Sequence, residues 1–171
     1  MRAIIWDFDF TIICGHTRGE VKLTTKEKSV DHFSKLISKD FMKLSSEIEK
    51  KGLHQGIASF AEQIQPNYFG GTRLIASILS AGFKDHPLFH IYGFNPAYNK
   101  LTHIDKNRHL QFLQDTLEIK DRANLLLIDD SLRNVQAARE AGYLAVHVTT
   151  MGFSMSSLST SDLDTLTRFV G

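Results

Sequence analysis

Along the chain, short apolar runs alternate with helical stripes of apolar residues, turn by turn. Ala3-Ile4-Ile5-Trp6 is an unbroken apolar run that stops at Asp7, the pattern of a strand covered on both faces. Between residues 31 and 51, Phe33, Leu36, Ile37, Phe41, Leu44 and Ile48 recur at helical spacing and Gly52 stops them. The phase slips between Ile37 and Phe41, so this stretch reads as one helix or two. Residues 53–59 (LHQGIAS) form a second, weaker strand. Leu74, Ile75, Ile78 and Leu79 make one face of a helix closed by Gly82, and residues 89–92 give a third strand between Pro87 and Pro96. Thr102 and Asp105 resemble a capping box opening a helix with the stripe Ile104, Leu110, Leu113 and Leu117.

Leu125-Leu126-Leu127-Ile128 is the strongest strand and ends on Asp129-Asp130; Ser131 then caps a helix carrying Leu132, Val135 and Ala138, closed by Gly142. Residues 143–148 supply a fifth strand. Residues 152–171 hold five Ser and three Thr with a faint stripe at Leu158, Leu163, Leu166 and Phe169, the pattern of a tail or peripheral helix. Strands separated by helices predict an α/β fold with a parallel sheet between helical layers. No repeat and no interdomain linker interrupts it, so residues 1–150 read as one core.

Composition narrows the partners. The 171 residues suit one domain, and 42% apolar content is enough for a packed core. Lys and Arg total 20 against 19 Asp and Glu, a net charge of +1, which gives no global field for nucleic acid or an anionic membrane. One cysteine excludes an intrachain disulfide and a multi-cysteine zinc site. No apolar run approaches the ~20 residues of a membrane span. The first residues, MRAIIWDFDF, carry acids where a signal peptide needs its apolar stretch, so a cytoplasmic protein is expected.

In an open parallel sheet the ligand site lies beyond the carboxyl ends of the strands. The first strand delivers Asp7-Phe8-Asp9-Phe10-Thr11 there and the second delivers Ser59. The third leads through a loop to Lys106, and the fourth delivers Asp129-Asp130. So many carboxylates on one rim repel each other unless a divalent cation joins them, and an all-oxygen donor set favours Mg2+ over Ca2+. Acids, a hydroxyl and a lysine around such an ion suit a phosphoryl group.

This order of residues resembles the haloacid dehalogenase-like (HAD) superfamily of aspartate-nucleophile phosphatases. DFDFT after an apolar strand, then Ser59, Lys106, LLLIDD and the helix NVQAAREAGY carry the likeness over residues 3–148. The departure is Phe10, where many members have Gly or an acid. The resemblance implies a Rossmann-like three-layer α/β/α sandwich. It makes Asp7 the nucleophile and Asp9 the general acid and base. Asp7, the Asp9 carbonyl and Asp130 would hold Mg2+, with Asp129 the alternative to Asp130. Ser59 and Lys106 would bind phosphate, Lys106 being favoured over Lys100 by its place at a helix start. A dehalogenase has no leaving oxygen to protonate, so Asp9 favours phosphoryl transfer. Asn134 is read either as orienting an acid or as a helix-surface residue. Arg73, Arg108, His103 and His109 are read as solvated or structural.

The stretch from Ile12 to Val30 is long enough for a flap and too short for a cap with its own core. An open site excludes water poorly unless the substrate closes it, which favours a phosphorylated protein or peptide. The segments DFDFTI, GHTRGE and YFGGT resemble HAD-fold tyrosine phosphatases among bacterial secreted effectors, a likeness that implies phosphotyrosine and delivery into a host cell. His16 and Arg18 are candidate substrate contacts, and Phe8 or Phe10 a candidate aromatic border. Small-metabolite or nucleotide phosphatases, receiver-like domains and a catalytically silent phosphate-binding module are the alternatives. Cys14 is not a phosphatase nucleophile, because Glu20 stands where the arginine of a cysteine-phosphatase loop is needed and Arg18 falls short of it; a small core or loop residue is expected.

Overall fold

The computed structural model describes residues 1–102 and 104–171; the reading of His103 lies outside the described residues. Five strands, β1 (Ala3–Trp6), β3 (His54–Ser59), β5 (Phe89–Gly93), β6 (Leu125–Asp129) and β7 (Leu144–His147), form a parallel sheet in the order β5-β3-β1-β6-β7. β2 (Glu20–Lys22) pairs antiparallel with β4 (Tyr68–Gly70) in a separate two-stranded sheet.

The apolar runs predict the central strands because each side of them is covered. Ile4 and Trp6 of β1 join a cluster with Phe41, Leu74, Ile78 and Phe169, while Ala3 and Ile5 join Leu110, Leu113, Val135 and Tyr143. The first cluster lies under α2 (Lys39–Lys50), α3 (Gly71–Gly82) and α6 (Thr160–Val170); the second lies under α4 (Asn107–Thr116) and α5 (Leu132–Glu140). The result is the three-layer α/β/α arrangement, with no large cap on it among the described residues. Trp6 anchors the first face, edge-on to Phe41 and Phe153 at 4.9 and 5.2 Å, and its Nε1 donates to Gln55 Oε1. Full burial of such a side chain contributes about 1.5–3 kcal/mol.

The helical stretch at residues 31–51 divides where its phase slips. α1 (Lys26–Ser34) ends, Ile37 bridges to Ile13, and Ser38 caps α2 by accepting from Phe41 N. α1 has no buried residue and packs on α3 as an outer element. The expected capping box at Thr102 and Asp105 is corrected: α4 begins later, at Asn107, with Lys106 as its N-cap, and Asp105 Oδ1 accepts from Asn107 N instead. Residues 152–171 end in α6, which packs on β7 and buries Leu166 and Phe169. Among the described residues, no helix is long and apolar enough to cross a membrane.

Candidate active site

β1 is flanked by β3 and β6, with Trp6 level with Ile57 on one side and Ile128 on the other. The next residues along each strand therefore meet beyond one edge. Asp7 N donates to Ile128 O at 2.8 Å, which continues the ladder and turns the Asp7 side chain into the space between the strand ends. A pocket of about 490 Å3 opens there, and Asp7, Asp9, Ser59 and Asp130 all line it.

Lys106 lies behind Asp7, fully buried, with Nζ donating to Asp7 Oδ1 and to Ala58 O. Its Nζ also stands 3.6 Å from Asp129 Oδ2 and 4.8 Å from the centre of the Phe60 ring. Burial alone would lower the Lys106 pKa, but the carboxylates of Asp7 and Asp129 outweigh it, and the ammonium is held charged. Burial pushes the Asp7 carboxyl well above its ordinary range; Lys106 opposes this only in part, and Asp129 and Asp130 reinforce it. Burial and Asp129 likewise raise Asp130.

One lysine is thus too little positive charge for three acids. Asp7, Asp129 and Asp130 each offer an oxygen, all within 4.8 Å of one another. This donor set and its unfavourable charge fit a hard divalent cation. The two adjacent acids play different parts. Asp129 is fully buried and accepts from Ser131 N at 2.8 Å and from Asn134 Nδ2 at 3.1 Å to each oxygen. Asp130 faces the pocket with its carboxylate available. Asn134, one of two readings in the sequence, is buried and orients an acid.

Asp9 is held from the flap. Its Oδ1 accepts from Thr17 N at 2.8 Å and its Oδ2 from Thr17 Oγ1 at 3.3 Å, while His16 Nδ1 lies 3.7 Å away and accepts from Arg18 N. The flap turn is tight: Gly19 has φ +83°, and a Cβ there would meet Ala61 Cα at 3.2 Å. Glycine at this position allows the flap to close directly on the turn after Ser59. Its continuation β2 pairs with β4, and Glu20 accepts from Ile64 N and Gln65 N. Within the stretch that the sequence reads as a flap, β2 is held by its pairing with the distant β4.

Phe10 also lines the pocket, at φ +61°. Glycine enters that backbone region freely and other residues at a cost, which accounts for the glycine that many similar motifs carry there. Phe8 is fully buried in the core, and the aromatic border falls to Phe10 alone of the pair. His16 and Arg18 both line the pocket. Cys14 is an exposed loop residue, away from the pocket lining. Sequence reasoning missed Phe60, Asn95 and Tyr98, which complete the walls, and Thr17, which holds Asp9 from behind them; no spacing rule marks residues delivered by irregular loops.

Fold and site together define an α/β protein of haloacid dehalogenase-like architecture, with an acidic centre at the carboxyl edge of its sheet. No protein-family model and no curated protein matches the chain in sequence. Solved structures match in fold. The HAD domain of effector protein Lem4 from Legionella pneumophila is 14% identical with a TM-score of 0.55, over 86% of this chain and 84% of that one. D,D-heptose 1,7-bisphosphate phosphatase from Burkholderia thailandensis is 14% identical with a TM-score of 0.55, over 88% and 79%. CbbY from Rhodobacter sphaeroides, solved in complex with phosphate, is 13% identical with a TM-score of 0.55, over 86% of each.

Proposed function

We propose that the chain is a magnesium-dependent phosphatase that hydrolyses a phosphate monoester through an aspartyl-phosphate, with phosphoprotein, and phosphotyrosine above all, as substrate. The observation that carries the reading is the buried Lys106–Asp7 pair at the floor of a pocket that also holds Asp9, Ser59 and Asp130. Two of the fold neighbours agree with it: one is named a phosphatase, and another was solved with phosphate.

Asp7 Oδ attacks phosphorus while the ester P–O bond breaks, and the Asp9 carboxyl gives its proton to the leaving oxygen. Asp9, now a carboxylate, takes a proton from the water that attacks the aspartyl-phosphate; inorganic phosphate leaves and Asp7 is regenerated. Thr17 keeps Asp9 aimed through both steps. Ser59 Oγ donates to a non-bridging oxygen, and Lys106 offsets the charge that gathers around the transferring group. Asp7 and Asp130, with the Asp9 carbonyl, would hold Mg2+, which when bound neutralises phosphate and carboxylate charge.

The substrate class rests on the walls. Phe10, His16, Phe60 and Tyr98 line the pocket beside the acids, and no large cap among the described residues shuts the mouth. A net charge of +1 offers nothing to a nucleic-acid backbone. Phosphotyrosine, phosphoserine and phosphothreonine peptides should be assayed beside sugar and nucleotide phosphates with magnesium. The tyrosine peptide is expected to show the highest kcat/KM, and EDTA to abolish turnover until magnesium is restored. A wide margin for sugar or nucleotide phosphates would give the site to small metabolites. A stoichiometric, long-lived phosphoaspartate without turnover would give it to receiver-like signalling.

Metal binding also carries a pH signature. Asp7 and Asp130 have folded pKa values above their unfolded ones, so the metal-free native state holds protons more tightly than the unfolded chain. Their contribution to stability is present below the ordinary carboxylate pKa and is lost as pH rises through the raised folded values. Magnesium binds the ionised acids and reverses that loss. At 100 times its Kd it should add about 2.7 kcal/mol near pH 8, and much less near pH 5. A magnesium-induced shift in Tm that does not grow between those pH values would remove Asp7 and Asp130 as its ligands.

A further inference from the structure

The end of β3 is gripped from α4 by two side chains about one helical turn apart. Lys106 Nζ donates to Ala58 O at 2.5 Å, and His109 Nε2 lies 3.0 Å from Ser59 O and 2.8 Å from Phe94 O. Both atoms facing Nε2 are carbonyl oxygens, so Nε2 carries the ring proton and donates to both. The imidazole is fully buried, edge-on to Phe60 and Tyr92 with ring centres 5.3 Å away in each case. Its Nδ1 has no partner among the described residues. An apolar ring in this place would avoid the cost of that stranded acceptor.

The sequence reads His109 as solvated or structural, and the reaction scheme gives it no part. Yet the residue it holds is the one proposed to bind phosphate. Ser59 Oγ accepts from Ala61 N at 3.1 Å, a bond inside its own turn. The Ser59 carbonyl is tied outward by Phe94 N at 3.0 Å and by His109. We propose that His109 is a positioning residue for phosphate: by donating to Ser59 O and Phe94 O together, it fixes the turn 59–61 and thereby the aim of Ser59 Oγ and the placing of Phe60 on the pocket wall. This rests on the phosphatase reading for the role of Ser59. Burial, aided by the charge of Lys106, pushes the imidazole down to about 3, so the ring is neutral at working pH. It supplies a fixed donor without a second cation beside the lysine.

The test measures the affinity for inorganic phosphate by calorimetry in saturating magnesium, with KM, kcat and Tm, for wild type, His109→Leu and His109→Gln. Loss of the donor in His109→Leu is expected to weaken phosphate binding and raise KM together by about tenfold, the scale of one or two neutral hydrogen bonds. The fall in kcat should stay within about threefold. His109→Gln presents an amide N–H toward the same carbonyls and should recover most of the loss. In a Ser59→Ala background, His109→Leu should add little, because the effect passes through Ser59.

Unchanged phosphate affinity and KM in His109→Leu would overturn the proposal, even if Tm falls. So would a full tenfold loss in the Ser59→Ala background. If His109→Leu does not fold, His109→Gln decides against His109→Asn: the longer amide must keep phosphate binding and the shorter one must weaken it, and equal binding by both refutes the role. Wild-type protein that binds phosphate in this His109-dependent way but hydrolyses no ester would defeat the phosphatase reading and leave the positioning role standing.

Discussion

Asp7→Asn is expected to lower turnover of an aryl phosphate by about 10⁴-fold or more, as loss of an attacking group does in other covalent hydrolases. The fold should survive. Asparagine keeps the shape and the Oδ1 acceptor that Lys106 uses, and it removes a charge that burial penalises. The Tm of the metal-free variant should therefore equal or exceed that of wild type, while the magnesium-induced rise should largely vanish. Retained activity in a well-folded variant would refute the aspartyl-phosphate mechanism outright.

Lys106→Met is expected to have the largest effect on stability. It takes the cation from two buried carboxylates, Asp7 and Asp129, and removal of one member of a buried ion pair costs about 3–5 kcal/mol. The loss should be read by urea unfolding at several pH values. It should be greatest at neutral pH and shrink as pH falls, because Asp7 already favours its proton in this setting and a neutral carboxyl no longer needs the lysine. A destabilisation that stays constant with pH would mean that Lys106 contributes through packing of its stem, not through its charge.

The parts of this protein legible in its sequence are those where one force dominates. Ala3–Trp6 and Leu125–Asp129 are central strands buried on both sides, and their unbroken apolar runs say so directly. The acids that stop those runs have to lie at a strand end, so the pattern alone places Asp7, Asp9, Asp129 and Asp130 on one rim. β2 and β4 escaped because each has only three residues, EVK and YFG, and exists through pairing with the other across the chain. The misplaced start of α4 has a similar origin. Thr102 and Asp105 have capping chemistry, but the buried Lys106 and His109 fix which turn of chain becomes helix.

The site was legible in the residues that line its rim and not in their supports. Asp7, Ser59 and Lys106 announce themselves by type and by place after a strand or at a helix start. Thr17 and His109 act through geometry alone, one on a flap turn and one on the inner face of a helix. Nothing in local spacing separates them from ordinary polar residues. Asn134 shows the boundary: its helical position allowed two readings, and only its bonds to both Asp129 oxygens choose between them.

The place of β1 between β3 and β6 has a consequence for how the protein is made. A chain emerging from the ribosome releases Asp7 first, Ser59 and Lys106 later, and the second acidic strand only after residue 124. Until that strand docks, one flank of β1 stands bare and Asp7 lacks its acidic neighbours. The acidic rim is therefore assembled late in synthesis, and a truncated product ending before Leu125 should be prone to stick to its own kind along the exposed edge.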